Sequence, residues 1–171
     1  LLEAMPVNAA LPWLGNFVVS GQPGVKLKAA SVVCGRGWSP QGIHRQRIEE
    51  TLIDTLHVVA RLIAMHSEAT KNRDFLLASA LKQERKKSNE LISCLLSLLT
   101  GKAASGIMSP LTDNYSPCQA GVASEAIDSL INEPLRKPLR ALLGNSNDNY
   151  KLAELSLYFP VRSVKGRSIP S

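Results

Sequence analysis

The sequence predicts a mainly α single domain, with a minor β component at its N-terminus. Three observations predict it. Between Ser39 and Gly101 lie two long stretches with apolar residues in steps of three and four. Serine–proline pairs at Ser39-Pro40 and Ser116-Pro117 are helix openings, with serine as cap and proline preorganised for the first helical position. Before them, a short alternating stretch around Ser20-Gly-Gln-Pro-Gly24 has the outline of a β-hairpin. The parts are an N-terminal arm and β-hairpin (1–38), a long antiparallel helical hairpin (39–101), a loop (102–116), three shorter helices (117–160) and a basic tail (161–171).

In chain order, Leu1 to Leu14 is apolar but interrupted by Pro6 and Pro12, which predicts a short helical turn or an extended arm packed on the core. Phe17 to Val19 and Val25 to Cys34 then read as two strands. Val25, Leu27, Ala29, Ser31 and Val33 alternate with Lys26 and Lys28, as on a half-exposed ribbon. Gly35-Arg-Gly-Trp38 connects to the first long helix. That helix opens at Ser39-Pro40 and carries Ile48, Leu52, Leu56, Val59 and Ile63 on one face. It is about 25 residues and roughly 35–40 Å long. The break falls within 67–72, with Asn72 as the next N-cap and Asp74 in the following first turn.

The second long helix runs to Thr100, where Gly101 supplies a stop. Its leucines at 77, 81, 91, 95 and 98 are separated by Lys82 to Glu90, a segment with no apolar side chain. Such a segment has little to bury, and reads either as a solvated stretch projecting past the body or as a basic contact surface. After the loop, the third helix carries Val122, Ala126, Ile127, Leu130 and Ile131. Asn132-Glu-Pro134 closes it and opens a fourth with Leu135, Leu139, Leu142 and Leu143, containing Pro138 and ending at Gly144. A fifth spans Tyr150 to Phe159 and stops at Pro160. The tail is a solvated end, a third strand or a basic binding arm.

Composition narrows the function. The chain has 171 residues, 44% hydrophobic and 20% charged, which suits one core and excludes wholesale disorder. No run of about 18 uncharged apolar residues occurs, so no membrane span is predicted. The chain begins at Leu1, which reads as a fragment or processed product, and no signal peptide is visible. Three widely spaced cysteines do not form a disulfide framework and point to a cytoplasmic or other reducing compartment. The 5% aromatic content is low for a module that stacks bases.

Motif chemistry is thin. Gly101-Lys102 has Leu96 where a phosphate-binding loop needs glycine. No Cys-x-x-Cys or His-x-x-x-His occurs, and His57 and His66 are nine residues apart on one helix, so neither a metal nor a cofactor is expected. Glu49 and Glu50 are adjacent and splay apart. A cysteine nucleophile would need Cys34, His44 and Asp54 to meet. Cys94 reads as core, and Cys118, in a helix first turn, as a modification site.

The formal charge is +6, and its basic residues cluster at Arg45/Arg47, 82–87, 136–140 and 162–167. The expected function is therefore a non-enzymatic helical interaction or scaffold domain of a larger assembly. It would dock an acidic protein surface through Lys82, Arg85, Lys86 and Lys87, with Arg136, Lys137 and Arg140 second. A nucleic-acid-binding subunit using the same residues on phosphates is the alternative, and a cysteine-dependent hydrolase or transferase the third.

Overall fold

The computed structural model describes residues 7–101, 125, 127–129, 131–144 and 146–160. Its elements are all helical: α1 (Val7–Ser20), α2 (Pro23–Gly35), α3 (Ile43–Lys71), α4 (Phe75–Thr100), α5 (Glu133–Leu143) and α6 (Asp148–Ser156). Residues 125 and 127–129 are helical as well, with Ile127 and Ile131 buried; they belong to the expected third helix, whose start lies outside the described residues. The 102–116 loop, Cys118 and the 161–171 tail also lie outside them.

The expected N-terminal β-hairpin is instead the helix pair α1 and α2, and no strand occurs among the described residues. Pro23 sits at the start of α2 behind an extended Gln22, so Gln22-Pro23 opens a helix rather than forming the bend of a hairpin. The buried residues of α2 are Ala29, Ala30 and Val33, a spacing of one and four that belongs to a helix face. Two alanines and two lysines favour that choice, and the apparent alternation is incidental.

The central pair is as expected in kind and different at its joints. Helix α3 starts at Ile43, not at Ser39-Pro40, because Gly42 adopts φ 54° and ψ −128°, a combination that breaks the chain's path and suits only glycine. Helix α3 then runs to Lys71, longer than the sequence suggested. Asn72 is its C-cap, and Asp74, not Asn72, caps α4: the Asp74 carboxylate accepts the Leu77 N–H at 3.0 Å. Arg73 between them has φ 58°. The Asp74 N–H donates to Ala69 O at 2.9 Å and the Arg73 N–H to Thr70 O at 3.2 Å, closing α3 with a Schellman motif. Gly101, with φ 76°, ends α4 where the sequence placed the stop.

Helix α5 opens behind Asn132 with Pro134 in its first turn, and carries Pro138 buried within it. Helix α6 begins earlier than Tyr150 because the Asn147 side chain accepts the Tyr150 N–H at 2.9 Å, and it ends at Ser156, short of Phe159.

Helices α3 and α4 form the antiparallel spine. Helices α1 and α2 pack on it and on each other, and α5 and α6 lie against α3. One core joins Leu52, Leu56, Val59 and Ile63 of α3 to Leu91, Ile92, Leu95 and Leu98 of α4, with Val18, Val33, Leu139 and Leu155 from the covering helices. Each such side chain contributes about 1.5–3 kcal/mol by leaving water. That core ends at Ile63 on one helix and begins at Leu91 on the other. Beyond it, Leu62, Ala69 and Leu81 form a small separate cluster with Ala78. Between Phe75 and Glu90 only Leu81 is buried. The far end of the spine is thus a two-helix arm past the main core, eight residues of α3 (64–71) and sixteen of α4 (75–90), or roughly 12 and 24 Å at 1.5 Å per residue.

Candidate functional site

Four of the seven expected contact residues are engaged within the chain. Arg85 meets Asp148 of α6 at 2.7 Å, with the Arg85 side chain 21% exposed and the Asp148 side chain 41%. Lys87 pairs with Glu84 at 3.0 Å. Arg136 donates to the Ile131 carbonyl and lies 3.7 Å from Glu133, and Arg140 pairs with Asp128. Lys82, Lys86 and Lys137 are exposed and make no ion pair among the described residues.

The first cluster lies on one stretch of α4, whereas in the second Arg136 and Arg140 are spent on local pairs and Lys137 alone is left unpaired among the described residues. Lys82 and Lys86 are four residues apart on α4 and flank Arg85, so the three share one stripe of the arm. Asp148 docks on that stripe and brings the first turn of α6 with it. This places Lys151, three residues on from Asp148, within reach of the Arg85 charge, while Tyr150, 56% exposed, lies about 200° around α6 from Asp148. Burial lowers the Lys151 ammonium below its ordinary value; the Asp148 carboxylate pulls the other way, and the Arg85 charge adds to the lowering. The site is a positive seam with one carboxylate in it.

Sequence reasoning missed Asp148 and Lys151, because their place depends on where α6 returns to the spine. It also missed the arm's tip. Phe75, Leu76 and Leu77 are 73%, 88% and 44% exposed. A signal for the tip was present: three consecutive apolar residues in a helix's first turn cannot all face one neighbour.

The cysteine arrangement does not assemble in the described residues. His44 packs edge-on against Trp38, with ring centroids 5.9 Å apart. Asp54 lies ten residues farther along the same helix, roughly 15 Å away. Cys34 is half-buried on α2 against the core, as is Cys94 on α4. Burial, helped by the nearby Cys34 and Glu90, pushes the Cys94 thiol up to about 11. His57 stacks on Phe159 at 5.6 Å, a packing contact that fastens the end of α6 to α3. Among the described residues no group of three or more His, Cys, Asp or Glu could hold a metal ion, and no helix is long and apolar enough to cross a membrane.

No protein family, curated protein or solved structure matches this chain.

Proposed function

We propose that the chain is a non-enzymatic helical interaction domain of a larger assembly, docking an acidic protein surface along the basic side of its arm. Lys82 and Lys86 supply the unspent charge, Arg85 is held between them by Asp148, and Tyr150, exposed on the helix that Asp148 docks, is the proposed aromatic anchor. The observation that carries the reading is the exposed pair Lys82 and Lys86 on either side of Arg85, which Asp148 of α6 holds at 2.7 Å. Interfaces draw most of their affinity from a few aromatic and arginine anchors, while surrounding charges set encounter rate and partner choice. Contact with a phosphate backbone needs rows of cations and no apolar anchor. Intrachain pairing of Arg85, Lys87, Arg136 and Arg140 thins those rows, which favours a protein partner over nucleic acid. The free thiols Cys34 and Cys94 agree with a reducing compartment.

The test is capture of a partner by the immobilised chain after nuclease treatment, repeated with Lys82→Glu/Lys86→Glu and with Tyr150→Ala. Both variants should lose the same protein. Capture that ignores Tyr150, together with duplex DNA binding that falls steeply with salt, would replace this reading by the nucleic-acid one. Capture unchanged in both variants would remove the surface altogether.

A further inference from the structure

We propose that the tip of the arm is a membrane-docking wedge, in which Phe75, Leu76 and Leu77 enter the interface of a bilayer carrying anionic lipid while Lys71 and Arg73 meet its headgroups. This goes beyond the protein-docking seam and uses different residues.

The wedge is the most exposed apolar feature of the described residues, with Phe75 at 73% and Leu76 at 88%. Consecutive helical residues are set about 100° apart, so the three together sweep about 200° around the first turn of α4. Helix-in-groove binding to a protein uses a stripe at i, i+3, i+4 and i+7. A turn that is apolar in nearly every outward direction instead fits a medium with no preferred side, as the interfacial zone of a bilayer is. The placement agrees: the chain reverses at residues 72–74, so this turn forms the end of the arm rather than its flank.

Charge selects the lipid. Lys71 and Arg73 are exposed; Arg73 lies within four residues of every member of the wedge and Lys71 within six. The acid beside it, Asp74, has its carboxylate turned to the Leu77 N–H at 3.0 Å. That bond satisfies one of the bare amides of the helix start, which lowers the cost of bringing the turn into the interface. Residues 61–87 hold seven basic and three acidic side chains, a net +4 of the chain's +6. An anionic bilayer surface attracts such an arm, whereas a second copy would set two positive arms against each other. Lys82 begins five residues beyond Leu77, roughly 8 Å up the helix. A protein held on the seam would therefore stand at the membrane surface.

Flotation of the full chain with vesicles tests this, comparing pure phosphatidylcholine with phosphatidylcholine containing about 30 mol% phosphatidylserine. The chain should float with the anionic vesicles and stay behind with the neutral ones. Joint replacement Phe75→Ser, Leu76→Ser and Leu77→Ser should cut the bound fraction by about ten-fold or more, with the circular dichroism spectrum unchanged. Leu76→Ser alone, at the most exposed position, should reduce it measurably and guards against a folding defect in the triple variant. Lys71→Glu/Arg73→Glu should abolish the preference for anionic vesicles. No flotation, or flotation indifferent to the tip variants, overturns the proposal. So does a concentration-dependent dimer that the triple variant dissolves, or a captured protein that needs the tip when vesicles do not bind. The seam variants at Lys82, Lys86 and Tyr150 read out protein docking separately, so either reading can fail without the other.

Discussion

Arg73 holds a left-handed backbone, φ 58°, at the point where α3 hands over to α4. A residue with a Cβ gives up roughly 1–2 kcal/mol in that region, and glycine none. Arg73→Gly should therefore raise stability by about 1 kcal/mol, less whatever the unfolded chain gains in freedom. Chemical denaturation would show it as a higher midpoint at unchanged slope; a lower midpoint would mean that the arginine side chain holds the turn. Asp74 has the opposite sign. Losing its cap by Asp74→Ala should cost about 1 kcal/mol. At Cys94 the pH dependence follows from burial. The unfolded thiol ionises near its ordinary 9.0, while the folded one stays protonated until about 11. Between those values the folded state holds the extra proton, so stability falls as pH rises through that window and is fully retained below it. Alkylation of native Cys94 by iodoacetamide should stay slow at pH 8, and should match the fully unfolded rate only when the protein is denatured. Fast alkylation of the native protein at pH 8 would contradict the buried, protonated thiol.

At the scale of elements, the two halves of the spine differ in what they bury. Leu95 is fully buried among Leu56, Val59 and neighbouring core residues, whereas Leu81 belongs to a cluster of three buried residues. Leu95→Ala should cost about 3–5 kcal/mol and Leu81→Ala about 1–2 kcal/mol, because a cavity near the arm's surface can collapse or fill with water. Native-state hydrogen exchange should show the same gradient, with amides from Leu91 to Leu99 most protected and those from Leu76 to Lys87 opening locally at lower free energy. Uniform protection along α4 would mean that the arm is as tightly held as the body. Much of this was readable in the sequence. The steps of three and four through Ile48, Leu52, Leu56 and Ile63 mark a helix face, and the apolar gap from Lys82 to Glu90 marks where the face has no partner. The helix pair α1–α2 was not readable. In Val25 to Val33 the same residues satisfy a period of two, and burial of Ala29, Ala30 and Val33 on the spine decides for the helix. Local pattern left both options open there, and tertiary packing settled it.

For the whole molecule, the body and the arm are physically separable, because no residue of the main core lies between Ile63 and Leu91. The candidate seam was half legible for the same reason: Lys82 and Lys86 sit on a stretch with nothing to bury, but Asp148, which pairs with Arg85 between them, arrives from more than 60 residues away, and only the docking of α6 brings it there. Separability has a consequence for engineering. Removing residues 64–70 and 76–82 deletes one heptad from each helix and shortens the arm by roughly 10 Å. Seven residues turn a helix by nearly two full turns, about 20° short, so the shortened hairpin can close again without rotating Ile63 or Leu91 out of the core. The body should then melt within about 5 °C of the full chain, since the only buried residues the deletion removes are Ala69 and Leu81 of the small cluster. Flotation with anionic vesicles should be lost with Leu76 and Leu77, and partner capture should weaken with Lys82. A body that no longer folds after this deletion would show that the arm is part of the cooperative core, and that its exposed residues are there for stability rather than contact.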